Sequence, residues 1–173
     1  MVPGFKRITA AITNAARAAF AHAIADHPGE TFFAFVLSTL DDAGYVRASL
    51  NSLENHQALV IHKGLQVQTP DEEYHRWSPC EWGEYEYVGA ECFEQVDALL
   101  ASKYETMAER KFSSYRRGVL ESMQSALAAL DAEQFWGTGR KRGAVTLFIT
   151  IYDSESTPEI EDTSAKALNP RAT

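Results

Sequence analysis

Three carboxylates, Glu81, Glu84 and Glu86, crowd a short aromatic stretch of this chain among Trp77, Trp82, Tyr85 and Tyr87. Carboxylates paired beside a ring can cleave glycosides, one protonating the leaving oxygen while the other attacks or activates water. His75 precedes them, next to Glu72, Glu73 and Arg76, and an imidazole can carry protons near neutral pH. No residue in the pattern fixes a partner for any of these groups. The residues therefore favour a solvated acidic rim over an acid–base pair, and a surface imidazole over a catalytic one. Cys80 lies between the two Trp residues, but a thiolate needs neighbouring positive charge, and only Arg76 is near.

The remaining chemistry-bearing residues form no motif. There are two cysteines, Cys80 and Cys92, and no second pair completes a zinc pattern. Of the five histidines, His56 and His62 are six apart and do not share a helix face as an i, i+4 metal pair does. His22 and His62 read as residues of solvated helix faces, and His27 belongs to a turn. No metal site, cofactor or catalytic residue is expected. Gly137-Thr138-Gly139 before Arg140 and Lys141 is a loose likeness of a phosphate loop. It precedes a strand, so it reads as a connection rather than an anion cradle.

Charge is distributed unevenly. Residues 71–97 hold nine acids and one base, Arg76, which accounts for the whole net charge of −8; the other 15 acids and 15 bases cancel. Such a field repels nucleic acid and steers cationic partners inward. Two cysteines without disulfide patterning fit reduced thiols, and the expectation is a cytoplasmic protein. Lys6 and Arg7 before an Ala-rich run superficially suggest a leader. Asn14, Arg17 and His22 interrupt that run, and Phe5, Ile8, Ile12, Ala15, Ala19, Phe20 and Ile24 recur at helical spacing. No membrane span is expected.

The elements that must position these residues follow from periodicity. A helix from about Pro3 to Asp26 ends at His27-Pro28-Gly29. Thr31 to Leu40 reads as a buried strand, Asp41 to Gly44 as a hairpin turn with Gly44 at positive φ, and Tyr45 to Leu50 as the returning strand. Asn51 or Ser52 caps a helix over about 53–62, stopped at Lys63-Gly64. Residues 65–89 read as extended pieces and loops, with Glu84 to Tyr87 alternating as a half-buried strand. Helices over about 91–102 and 111–130 precede a basic loop (137–143) and the strand Ala144 to Tyr152. From Asp153 the hydrophobic period is lost, so 153–173 reads as a flexible acidic tail. The fold class is α+β: one domain over 1–152, with a mainly antiparallel sheet of about four strands and helices packed against it.

The stretch Tyr74-His75-Arg76-Trp77-Ser78-Pro79-Cys80-Glu81-Trp82 resembles the signature of a bacterial family catalogued as domain of unknown function 4303. Phe33-Ala34-Phe35 resembles its early strand, and Leu130 to Ile151, with Phe135-Trp136-Gly137, its closing segment. The resemblance assigns no functional residues. It implies an association with the immunity-like proteins that accompany bacterial toxins.

The resulting expectation is a non-enzymatic, immunity-type binding module that neutralises a basic toxin through an acidic aromatic face. That face comprises Glu72, Glu73, His75, Trp77, Glu81, Trp82, Glu84, Tyr85 and Glu86, with aromatic anchors rimmed by charge. The alternatives are a small hydrolase-like enzyme built on the same carboxylates and a small-molecule sensor. Nothing in the residues sets the oligomeric state.

Overall fold

The computed structural model describes residues 4–169. In chain order the elements are α1 (Lys6–Asp26), β1 (Phe32–Leu40), β2 (Arg47–Ser52), α2 (Leu53–Lys63), α3 (Pro70–Trp77), α4 (Glu94–Glu105), α5 (Phe112–Ala132), α6 (Gly139–Gly143), β3 (Thr146–Tyr152) and α7 (Thr157–Leu168). Short 3-10 turns occupy Pro79–Glu81, Gly83–Tyr85, Ala90–Phe93 and Glu109–Lys111. The class is α+β, as expected. Pro3, the expected start of the first helix, lies outside the described residues.

The sheet differs from expectation in two ways. Among the described residues it has three strands, in the order β2-β1-β3. It is also mixed: β1 runs antiparallel to β2, with Leu37 opposite Ala48, and parallel to β3, with Phe35 opposite Leu147. A hairpin can only make the antiparallel pair, whereas the helices between β2 and β3 supply the crossover that a parallel pair needs. The expected fourth strand at Glu84 to Tyr87 does not form. Its first residues lie in a 3-10 turn, and its link to β2 is one backbone bridge, Ala48 to Val88, with Tyr87 N–H donating to Ser49 Oγ at 3.2 Å.

Strand β1 is buried from Phe33 through Thr39, so both of its faces are covered, which suits its unbroken apolar run. Phe35 meets Phe20 of α1 edge-on at 5.1 Å and Trp136 at 5.5 Å. Helices α1 and α5 cross closely, because a Cβ on Gly118 would sit 2.5 Å from the Phe5 ring. Beside that crossing, Thr9 Oγ1 donates to Ser122 Oγ at 3.0 Å. The β1–β2 turn takes its left-handed residue at Ala43 (φ 54°) rather than at Gly44. Ala43 is fully buried there, its carbonyl accepts from Tyr115 Oη, and Asp42 Oδ1 accepts from Gly44 N–H.

The stretch expected to be a flexible tail contains α7, docked on β3; residues 170–173 lie outside the described residues. Helix α7 docks through polar side chains. Leu147 N–H donates to Asn169 Oδ1 at 2.9 Å, Ile149 N–H donates to Ser164 Oγ at 3.0 Å, and Thr157 Oγ1 donates to the Ile151 carbonyl at 2.5 Å. Asn169 Nδ2 also donates to the Leu147 carbonyl at 2.8 Å. Every second residue of β3 is thus bonded on its outer side as if by a further strand. Hydrophobic periodicity cannot register a helix held this way, with Ser164 at the centre of its buried face. The basic loop is likewise partly structural. Arg142 is buried, pairs through Nε with Asp131 at the end of α5, and donates to the carbonyls of Val145 and Leu168 at 2.8 and 2.7 Å.

The Ser164→Ala/Asn169→Ala double variant leaves two buried backbone N–H groups unmet. We predict a loss of about 1–3 kcal/mol for each, read as a lower urea midpoint at unchanged slope. An unaltered midpoint would show that α7 does not hold the edge of β3.

Candidate functional site

The aromatic, acidic segment forms an arm with α2, and the arm begins at two caps. Ser52 Oγ accepts from Asn55 N–H to start α2, and Gly64 at φ 64° ends it. Thr69 Oγ1 accepts from Glu72 N–H to start α3, with Pro70 in its first turn. Sequence periodicity misses α3, but its signals are readable: a Thr-Pro start, three acids in the first turn, and His75 and Arg76 in the last, all favourable to the helix dipole.

Ion pairs join the two helices. His56 Nε2 donates to Glu72 Oε1 at 2.5 Å, with both side chains at least nine-tenths buried. Glu72 Oε2 also accepts from Gln68 N–H at 3.1 Å. The His56 hydrogen bond, followed by the Gln68 amide, holds the Glu72 carboxyl below its ordinary pKa. Lys63, read from sequence as a helix stop, is a hub: its Nζ donates to Glu81 Oε2 at 2.7 Å and to His75 Nε2 at 3.0 Å. His75 Nδ1 lies 2.8 Å from the Asp71 carbonyl. A carbonyl only accepts and an ammonium only donates, so the ring carries its proton on Nδ1. The Lys63 bond is also the main reason the Glu81 pKa is lowered.

Phe33 ties this arm to the sheet. The β1–β2 register slips between Phe32 and Ala34, which makes Phe33 the extra residue of a bulge. Its ring meets Trp77 edge-on at 5.5 Å, and the Arg76 guanidinium stands 5.0 Å from its centroid. Trp82 is 1% exposed and donates from Nε1 to the His75 carbonyl at 3.3 Å. Tyr85 is also buried; its hydroxyl donates to Glu30 Oε1 at 2.7 Å and stands 3.1 Å from His27 Nδ1. Burial, then the Glu30 contact, pushes the Tyr85 pKa far up.

The expected aromatic face is therefore largely interior. Of its nine residues, Glu72, His75, Trp82 and Tyr85 are buried, Trp77, Glu81 and Glu86 are half-buried, and only Glu73 and Glu84 are exposed. The reason is geometric: α3 and the two 3-10 turns after it fold the rings inward, where an extended segment would alternate them outward. Asp97 is also taken, by a two-pronged contact with Arg47 at 2.8 Å for each oxygen. Asp71, Glu73, Glu84, Glu91 and Glu94 remain as the exposed acids of this stretch.

As chemistry, the arm is largely paired, although His56 Nδ1 is buried without a hydrogen-bond partner. His75, Glu81 and Lys63 converge, but each spends its reactive atoms on the others. The Cys80 thiol has its pKa raised, first by desolvation and then by Glu81 and Glu86, and so is no activated nucleophile. The open clefts lie elsewhere. One of about 820 Å³ runs between α5 and α7 past Arg116, Arg117, Glu121 and Glu159, and one of about 620 Å³ lies beside His22, Asp26, His27, Glu84 and Glu91. The second adjoins a cluster that sequence spacing conceals: His22, Glu91 and Cys92, whose ligand atoms all fall within 4.8 Å of one another.

A three-stranded mixed sheet, seven α-helices among the described residues and this ion-paired arm define a helix-rich α+β domain. The chain belongs to the family described as a domain of unknown function, DUF4303, whose model matches residues 12–170. That span includes α7. No curated protein and no solved structure matches the chain. No helix among the described residues is long and apolar enough to cross a membrane.

Because its folded pKa is lowered, Glu72 contributes stability that is complete above the ordinary carboxylate value of 4.5 and fades as pH falls through the lowered one. We predict that Glu72→Gln costs about 1–3 kcal/mol at neutral pH, and that the gap from the parent protein closes as pH drops below that range. Denaturant midpoints measured at a series of pH values test this; a gap that widens with acid contradicts it.

Proposed function

We propose that the chain is a non-enzymatic protein-binding module of the immunity type, docking a basic partner such as a bacterial toxin on the outer side of the α2–α3 arm. One observation carries this reading. Ile61 and Val67 are each 72% exposed and Tyr74 is 52% exposed, three large apolar side chains on one short helix–loop–helix unit. Asp71 and Glu73 stand exposed on α3 on either side of the buried Glu72, so acids accompany the apolar group. Apolar anchors with an acidic rim suit a cationic protein, charge raising the encounter rate and buried rings and aliphatics holding the complex.

The pairing of the arm supports the same reading. Buried His56–Glu72 and the Lys63–His75 contact fix α2 against α3, and Lys63–Glu81 ties α2 to the turn after it, which lowers the ordering cost of docking. A hydrolytic reading has less support, since His75 and Glu81 are engaged with Lys63 while Glu84 stands exposed without converging on them. For a sensor, the rings of Trp82 and Tyr85 are buried and line neither of the two clefts described above.

The test uses the protein encoded beside this chain in its source genome, co-expressed and co-purified with it. We expect a complex that Ile61→Asp and Tyr74→Ala each weaken at least about tenfold, the effect of losing roughly 1.4 kcal/mol at an anchor. Asp71→Asn with Glu73→Gln should slow association at low salt and leave dissociation nearly unchanged. Absence of a complex at every salt concentration, or a complex indifferent to all four substitutions, would count against the proposal.

A further inference from the structure

The segment that follows the arm brings together three metal-ligating side chains from places 70 residues apart. His22 is on the exposed face of α1; Glu91 and Cys92 are on the 3-10 turn Ala90–Phe93. An imidazole nitrogen, a carboxylate oxygen and a thiol sulfur lie mutually within 4.8 Å. From this cluster we infer a transition-metal site, with Zn²⁺ as the ion its donors best fit.

Four features support the assignment. The first is the donor set. Mixed nitrogen, oxygen and sulfur donors suit zinc, whereas hard cations such as calcium and magnesium avoid thiolate.

The second is that the donors are uncommitted. Among the described residues no other side chain forms a hydrogen bond or ion pair with His22, Glu91 or Cys92, the Cys92 thiol meeting only its own backbone amide and the neighbouring Glu91 charge, whereas Glu72, Glu81 and Asp97 of the same acidic stretch are all paired.

The third is a fixed backbone. Gly89 has φ 55°, and a Cβ there would fall 2.7 Å from Ala19 Cβ, so the turn lies directly on α1. Ala19 and His22 are one helical turn apart. Cys92 N–H donates to the Gly89 carbonyl at 2.9 Å, and the neighbouring Phe93 is fully buried. The backbones are thus held while the three side chains stay free to turn. Tetrahedral zinc places such donors about 3.5 Å apart, a closing movement of roughly 1 Å that exposed and half-exposed side chains make by changing rotamer.

The fourth is access. The cleft of about 620 Å³ shares His22 and Glu91 with the cluster, so an ion can enter, and water fills the fourth coordination position. The site clamps α1 to the turn. It is independent of the docking reading, since none of its ligands lies on α2 or α3.

Cobalt(II) reports the ligands directly, because cysteine thiolate bound to it gives a charge-transfer absorption that nitrogen and oxygen donors do not. Metal-free protein titrated with cobalt(II) should develop that absorption, saturate at one ion per chain, and lose it when Zn²⁺ is added. Cys92→Ser should abolish it. His22→Ala, at an exposed position where folding is not at stake, should weaken Zn²⁺ binding by more than the roughly 10–100-fold that loss of an outer-shell partner costs. Cys80→Ser should change nothing. Absence of the absorption, its persistence in Cys92→Ser, its loss in Cys80→Ser, or unchanged affinity in His22→Ala would each overturn the site.

Discussion

Strand β1 must be covered on both faces, and most of the structure answers that requirement. Its run from Phe33 to Thr39 has no solvent-facing residue, so amphipathic helices on one side alone would leave apolar surface in water. Helix α1 and the turn that follows α5 supply one cover, with Phe20 and Trp136 against Phe35. The bulge at Phe33 sends a ring the other way, where Trp77 and Arg76 receive it. Without that extra residue the arm would have no aromatic socket on the sheet.

The arm shows how a strongly acidic segment can be interior and still carry its charge. Trp82 and Tyr85 go into the core by donating hydrogen bonds to the His75 carbonyl and to Glu30, which satisfies the polar end that each ring takes with it. The acids that go inward bring partners: Glu72 has His56, and Glu81 has Lys63. Of those left outside, Asp71 and Glu73 accompany Ile61, Val67 and Tyr74, whereas Glu84 and Glu91 border the cleft beside His22. Segregation of paired from unpaired acids, rather than the total of −8, shapes the surface that a partner would meet.

Elements defined by regular hydrophobic spacing were legible in the residues. Helices α1 and α5, strands β1 and β3, and α2 with its Ser52 and Gly64 caps all appear close to where spacing and capping place them. The α3 helix was obscured because five of its eight residues are charged or imidazole and its stripe is held by ion pairs. Alternation at Glu84 to Tyr87 imitated a strand, but Gly83 at φ 61° opens a tight turn there instead. For the candidate sites the residues were less informative still. Trp82 and Tyr85 are in the segment singled out, but in the core rather than on a face. The gathering of His22 with Glu91 and Cys92 depends on the contact of Gly89 with Ala19, which no local pattern encodes.

The polar docking of α7 has a consequence for how copies of this protein behave toward one another. A sheet with open borders offers unpaired amides and carbonyls to any neighbour in extended form, which is how ordered polymers start. Here Thr157, Ser164 and Asn169 occupy those groups along β3, and at the far border the irregular stretch through Val88 touches β2 at a single bridge. With the β3 border occupied in this way, an incoming strand finds no ladder to extend on that side, so crowded molecules can collide there without templating one another.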